Sequence, residues 1–323
     1  MPYSMTVTDV RKEIFMTRTT VSFDSAGIEI AAHLYVPDQA GSDPSPALVV
    51  GHPGTGVKEQ ASGTYAQLMA ERGFVALAFD AAYQGESGGV PRGLEDPAQR
   101  VEDFKAAVSY LSTRAEVDAN RIGLLGVCAS GGYSLAATAG DHRVKAVGTV
   151  CTAEPARQFR FGADGTQNPA VFQNLLAAAA RARTTAALGQ DPGTMTMFPQ
   201  TAEQAGELGG QHGIEGFEYY CTSRGEHERS AKFLTWDSID KMASSDVFYA
   251  IPLIGPRPIL QIIGERAVTA WMGIEAHKRA TGPSEIHWIG GASHVDLYDK
   301  LEYIVPAVDK LAQFFTTALT TIW

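Results

Sequence analysis

The spacing of apolar and polar positions changes along this chain, and the changes mark its elements. Residues 19–23 and 28–36 are rich in β-branched and aromatic side chains, and Asp24, Ser25 and Gly27 separate them, which predicts an antiparallel pair at the entry to a sheet. Residues 47–50 form a short apolar run that ends in Gly51-His52-Pro53-Gly54-Thr55-Gly56, a Gly/Pro-rich loop directly after a strand and therefore a place where sites are built. From there the pattern predicts a helix over 61–72 stopped by Gly73, a strand over 74–79, a helix over 97–114, a strand over 122–127, a helix over 130–139 and a strand over 144–150. In the second of these helices Val101, Phe104, Val108 and Leu111 recur at helical spacing, one apolar stripe to lay on a sheet. Continuous apolar strands alternating with helices predict an α/β architecture: a mostly parallel sheet covered on both faces.

Between Cys151 and Pro252 this alternation stops. The stretch is Ala-rich, then Gly-, Gln- and Met-bearing, with aromatics at Phe159, Phe161, Phe172, Phe198, Phe217, Tyr219, Tyr220, Phe233, Trp236, Phe248 and Tyr249. It reads as a helical lid over 153–249 inserted into one core made of 1–152 and 250–323, with most of these aromatics forming the lid's own small core and a minority facing a pocket. The alternation resumes with a strand over 259–263, a helix over 272–280, a strand over 286–289 and a last helix in which Ile304, Val308, Leu311 and Phe315 make the inward stripe.

Composition narrows the function classes. A net charge of -10 opposes a nucleic-acid backbone or an anionic membrane, so the expected partner is a small-molecule substrate, with no nucleic acid and no membrane, and a homodimer left open. Met1 to Arg18 mixes charges with isolated apolar residues and lacks the apolar run of a secretory signal. The 3 cysteines, Cys128, Cys151 and Cys221, are unpaired in spacing, which suits a reducing cytoplasm and offers no metal site. Cys151 reads as a small buried hydrophobe.

Cys128 stands apart by position. The run Ile122-Gly123-Leu124-Leu125-Gly126-Val127-Cys128-Ala129-Ser130-Gly131-Gly132 is a buried strand, a tight turn and a helix start. A nucleophile on such a turn needs small neighbours where the backbone folds back; around Cys128 these are Gly126, Ser130 and Gly131, whereas around Ser130 the last would be the bulky Tyr133. A helix N-terminus also favours a thiolate. The Ala129 amide, with a second from Gly54 or Thr55, could hold an oxyanion. A Gly-rich turn with a buried thiol is the bland alternative. Of 8 histidines, His294 in Gly290-Gly291-Ala292-Ser293-His294 lies in a loop after the last predicted strand, where strand ends converge, and is the candidate base. His33 and His287 fall within strands and read as structural; His52 can orient the oxyanion loop.

The order of elements, with Gly126-Val127-Cys128-Ala129-Ser130-Gly131, Gly51-His52-Pro53-Gly54 and Gly291-Ala292-Ser293-His294, resembles the α/β-hydrolase superfamily. The Cys turn and Gly56-Val57-Lys58-Glu59-Gln60 are similar to dienelactone hydrolases and to polyketide-transferase-like or peptidase-like hydrolases. The resemblance spans nearly the whole chain except the lid. It implies an acyl-enzyme hydrolase acting on an ester, lactone or thioester with no metal or organic cofactor. It also implies Glu59 as a contact of the resting thiol, unless that side chain is a solvated charge at a helix start. The superfamily usually places an Asp a few residues beyond the strand 259–263, but Val268 stands near that place; Glu265 is the substitute on position, Asp80 another, and a Cys–His dyad without an acid is a third arrangement. The expected function is hydrolysis of a small apolar or aromatic substrate, with acyl transfer to a non-water acceptor, or an inactive ligand-binding relative, as alternatives.

Overall fold

The computed structural model describes residues 16–38 and 43–320. The N-terminal reading from Met1 therefore lies, up to Phe15, outside the described residues. The strands are β1 (Met16–Ser25), β2 (Ile28–Pro37), β3 (Ser45–Gly51), β4 (Val75–Phe79), β5 (Val117–Val127), β6 (Val144–Val150), β7 (Thr194–Thr196), β8 (Phe233–Thr235), β9 (Ile259–Gly264) and β10 (Ser284–Ile289). The helices are α1 (Ala61–Ala70), α2 (Pro97–Ser112), α3 (Ala129–Gly140), α4 (Pro155–Phe161), α5 (Pro169–Ala187), α6 (Ala202–Tyr220), α7 (Asp237–Ala243), α8 (Ala270–Arg279), α9 (Asp296–Asp299) and α10 (Leu301–Ala318).

Eight strands form one sheet in the order β1-β2-β4-β3-β5-β6-β9-β10. β1 pairs antiparallel with β2, and β2 antiparallel with β4; every later pairing is parallel. This is the mostly parallel architecture that the alternating pattern predicts, and the central strands are buried on both faces as such sheets require. One face packs Phe104, Val108 and Leu111 of α2 with Tyr133 of α3 and Met272 of α8. The other packs Tyr65 and Met69 of α1 with Ile304, Val308, Leu311 and Phe315 of α10. Local chemistry agrees with these placements: α2 starts at Asp96, whose carboxylate accepts from the amides of Ala98 (3.1 Å) and Gln99 (3.5 Å), with Pro97 in the first turn where its missing N–H costs nothing.

Between β6 and β9 the chain leaves the sheet and makes α4 to α7 with the small antiparallel pair β7–β8. This segment has a core of its own in which Phe172, Leu234, Ile239 and Met242 are buried. Four hydrogen bonds tie it to the loop after β3: Tyr220 to the Gly54 carbonyl at 3.3 Å, Ser230 to the Thr55 carbonyl at 2.8 Å, Gln60 to the Gly225 carbonyl at 2.6 Å and Arg229 to the Glu59 carboxylate at 2.7 Å.

Phe315 is fully buried, edge-on to Phe74 at 6.3 Å, and lies over Gly123 of β5 and Gly148 of β6. Phe315→Ala leaves a cavity that these glycines cannot fill, so it is expected to lower the unfolding free energy by about 3–5 kcal/mol. The half-buried neighbour Phe314 serves as the control, and Phe314→Ala is expected to cost clearly less in the same urea titration.

Candidate active site

The turn after β5 carries the site. Cys128 has φ 55, ψ -117, a left-handed conformation that a non-glycine residue adopts only where its surroundings impose it. Here they do: the Cys128 amide donates to the Val150 carbonyl at 2.9 Å, and its carbonyl accepts from Gly131 at 2.8 Å and from Ala153 at 2.9 Å. The backbone folds back so closely that a methyl on Gly126 would stand 2.1 Å from the Ser130 carbonyl oxygen, and one on Gly131 would stand 3.0 Å from the Thr152 Cα. Ser130 itself is buried and donates to the His52 carbonyl at 2.6 Å, so its hydroxyl faces away from the cavity as part of the scaffold.

The Cys128 sulfur borders a cavity of about 670 Å³. The backbone amides of Ala129 and Gly54 and the hydroxyl of Tyr298 favour the charged form of the sulfur, and all three residues line the same cavity as Cys128. Thr55, at φ 58, also lines the cavity, and its Oγ1 is buried with no partner among the described residues. The loop carrying Gly54 is held by the neutral ring of His52. His52 Nε2 accepts from the Ala81 amide and from Arg100, both at 3.0 Å, so the proton sits on Nδ1, which donates to the Pro53 carbonyl at 2.6 Å. Burial, reinforced by Arg100, holds the pKa of His52 well below the ordinary histidine value.

His294 is fully buried. Its Nε2 stands 3.0 Å from the Tyr298 hydroxyl and its Nδ1 meets Thr269 Oγ1 at 2.5 Å. The structure thus places Tyr298 on the cavity beside Cys128 and against His294, and among the described residues no hydrogen bond joins Cys128 to His294 directly. The loop that presents His294 is braced by Arg266, which donates to the Gly291 carbonyl at 2.7 Å, and by a reciprocal pair in which Ser293 N donates to Asp296 and Asp296 N to Ser293 Oγ.

Three expectations need correction. Glu265 is exposed and its carboxylate accepts from the Gly291 amide at 2.9 Å; it braces the outside of the histidine loop, and the group on His294 Nδ1 is the neutral hydroxyl of Thr269. Asp80 is buried under the same loop system, where its carboxylate accepts from the Lys58 amide (2.7 Å), Lys58 Nζ (2.9 Å) and the Glu86 amide (2.9 Å), and is not at His294. Glu59 pairs with Lys58 at 2.9 Å and Arg229 at 2.7 Å and does not touch the thiol. The sequence reading also missed Tyr298 and Thr269. Tyr298 stands four residues after His294 in a helical turn, the spacing that puts two side chains on one face; Thr269 is one residue past the Val268 position where an acid was sought.

A helix N-terminus was expected to favour a thiolate. Burial wins instead: it pushes the Cys128 thiol above its ordinary value although Tyr298 and the amides of Ala129 and Gly54 favour the charged form. Burial, with the nearby ring of His212, likewise holds His294 well below the ordinary histidine value. His212 packs edge-on against His294 at 4.8 Å and is itself pushed down to about 4 by burial. The resting pair is therefore a neutral thiol and a neutral imidazole.

The rest of the cavity wall is largely apolar and comes mainly from the inserted segment: Pro155, Phe159, Leu175, Met197, Phe198, Tyr220 and Leu234, joined by Val268. Of the inserted segment's aromatics, Phe159, Phe198 and Tyr220 thus face the cavity, and Phe198 stacks on Tyr220 at 4.7 Å. Among the described residues no group of three or more His, Cys, Asp or Glu side chains is placed to hold a metal ion, and no helix is long and apolar enough to cross a membrane.

Comparison with known proteins agrees with this fold. Residues 26–236 match the family model described as X-Pro dipeptidyl-peptidase (S15 family). The chain is 42% identical to the uncharacterized protein PA2218 of Pseudomonas aeruginosa, over 90% of this chain and 77% of that protein, and a crystal structure of PA2218 superposes with a TM-score of 0.87 and 39% identity over 94% of each chain. It is 35% identical to the uncharacterized protein YcjY of Escherichia coli K12, over 94% of this chain and all of that one. At 29% identity it matches a protein named thiohydrolase apmlB of Arthrinium phaeospermum, over 67% of this chain and 70% of that one. Sheet order, turn and relatives together make the chain an α/β-hydrolase-type enzyme that belongs to the S15 family.

Proposed function

We propose that this enzyme cleaves an ester, lactone or thioester of a small apolar or aromatic acyl group through an intermediate on Cys128. The observation that carries the reading is a cysteine held at φ 55 on the cavity wall beside Ala129 and Gly54, whose amides favour the charged form of its sulfur. Two such donors are what a developing oxyanion needs. The sulfur attacks the carbonyl carbon while its proton passes to His294, so that a C–S bond forms and the carbonyl oxygen takes the charge between the two amides. Collapse breaks the bond to the leaving group, which departs with the proton returned from the imidazolium. Water then attacks the acyl thioester, gives a proton to His294, and the thiol is restored as the acid leaves. The apolar cavity wall supports an apolar acyl group, and the name of the thiohydrolase relative supports a thioester among the candidate substrates.

The neutral resting pair sets the pH dependence. A histidine held below its usual value stays a competent base on the acid side of pH 6.5, and a thiol held above its usual value keeps its proton on the alkaline side of about pH 8.5. The kcat/KM profile is expected to be flat between those points; an acid limb at or above pH 6.5 contradicts the assignment.

Aryl ester and thioester probes with intact-mass detection test the nucleophile. Cys128→Ala is expected to abolish the acyl adduct and turnover, while Ser130→Ala keeps the adduct and loses about 1 kcal/mol of stability with its buried hydrogen bond. Glu265→Gln, away from His294, is expected to stay within about twofold of the parent rate. An adduct that survives in Cys128→Ala and disappears in Ser130→Ala overturns the reading.

A further inference from the structure

The contacts of Tyr298 raise a question that the Cys–His reading leaves open, because the base and the nucleophile do not meet. His294 Nδ1 is tied to Thr269, His212 packs against the ring, and the nitrogen that would receive a proton faces the Tyr298 hydroxyl at 3.0 Å. Cys128 lines the same cavity as Tyr298 and packs against the cluster that holds its ring, and its sulfur acts electrostatically on the phenol. The phenol ring is itself fixed, nearly fully buried and edge-on to Tyr219 at 5.1 Å and to Tyr220 at 6.4 Å. For His294 to reach the sulfur directly, its ring would have to leave Thr269 and displace the hydroxyl.

We infer that Tyr298 is a catalytic residue of this site: its hydroxyl carries the proton between Cys128 and His294. This inference rests on the reading of Cys128 as the nucleophile. A hydroxyl has one proton to donate and lone pairs to accept, so it bridges the two groups in either state. Before attack, the thiol S–H donates to the Tyr298 oxygen and the Tyr298 O–H donates to His294 Nε2. As sulfur bonds to the carbonyl carbon, the thiol proton moves to the Tyr298 oxygen and the original hydroxyl proton moves to Nε2. Two O–H or N–H bonds form, one S–H and one O–H bond break, and Tyr298 ends with a proton as it began. In the collapse Nε2 gives its proton to the Tyr298 oxygen as the Tyr298 hydroxyl proton passes to the leaving-group atom, so that one N–H and one O–H bond break, the bond from the acyl carbon to the leaving group breaks, and Tyr298 again ends with one proton. Burial holds the phenol pKa well above its ordinary value, which disfavours a free phenolate and requires the two transfers to be concerted. Thr269 is a positioning residue in this scheme: it keeps Nδ1 occupied so that Nε2 stays aimed at Tyr298.

Tyr298→Phe keeps the ring in its aromatic cluster and removes the relay atom. Acylation by p-nitrophenyl acetate, followed by the nitrophenolate burst and by intact mass, is expected to slow about a hundredfold or more in this variant, with the concentration dependence of the burst within threefold of the parent. The parent rate in mixtures of H2O and D2O is expected to fall along a curve that requires two protons in motion, and the variant's residual rate along a straight line. A circular-dichroism spectrum and a urea midpoint establish that the variant is folded, and 3-fluorotyrosine at position 298, which preserves shape and changes only the acidity of the phenol, is expected to alter the rate without altering the fold. A Tyr298→Phe protein acylated on Cys128 at the parent rate, or a parent with a straight-line isotope response, overturns the relay and leaves the nucleophile reading standing. Acylation of the parent at a residue other than Cys128 overturns both.

Discussion

The site depends on one backbone reversal. At Cys128 the chain leaves a buried strand and enters a helix within a single residue, at a positive φ that costs about 1–3 kcal/mol in isolation. What offsets it is local and complete: every backbone polar group of Cys128 is used, by Val150 on one side and by Gly131 and Ala153 on the other. The same reversal points the side chain out of the sheet and turns the Ala129 amide toward it. The second amide belongs to a separate loop, and its position is inherited from His52, Arg100 and Ser130 through the carbonyls and ring atoms that they bind. Removing the reversal would leave those supports intact with nothing to serve.

The electrostatics follow from how deeply this turn is enclosed. A helix N-terminus contributes at most about 1–2 kcal/mol toward a thiolate, whereas taking a charged sulfur out of water costs several. The enclosure therefore decides the protonation state, and the thiol and the imidazole rest uncharged. Among the described residues no carboxylate stands on His294 to compensate, and its Nδ1 partner is a threonine. In the proposed reaction an ion pair is created only as the carbonyl oxygen takes negative charge beside two amides, whose strength is greatest in a dry cavity.

Much of the architecture was legible because it depends on local periodicity. Continuous apolar runs such as those in β4 and β5, and the stripe Ile304, Val308, Leu311 and Phe315 in α10, carry their burial in their spacing. The turn at Cys128 was legible too, since the space beside it accepts only small neighbours and the sequence supplies them. The partners of His294 were not. Its Nδ1 contact comes from the loop before α8 and its Nε2 contact from α9, two segments whose approach is set by tertiary packing. Searching for an acid by offset from β9 led to Glu265, whose side chain the loop turns outward to the Gly291 amide.

The inserted segment links these points. Its bonds from Tyr220 and Ser230, and the one that the Gly225 carbonyl accepts from Gln60, all reach the loop after β3 that carries the Gly54 amide, so the element that covers the cavity also holds that amide. Tyr219 and Tyr220 from the same segment hold the ring of Tyr298, and His212 holds that of His294. Cover and chemistry are thus mechanically coupled. A change that lifted the segment would admit water, move both protonation equilibria back toward their ordinary values, and at once loosen the Gly54 amide, the Tyr298 hydroxyl and the His294 ring. An enzyme built this way restricts its substrates through the shape of a wall that also holds the catalytic geometry, so that wall and chemistry cannot be altered independently.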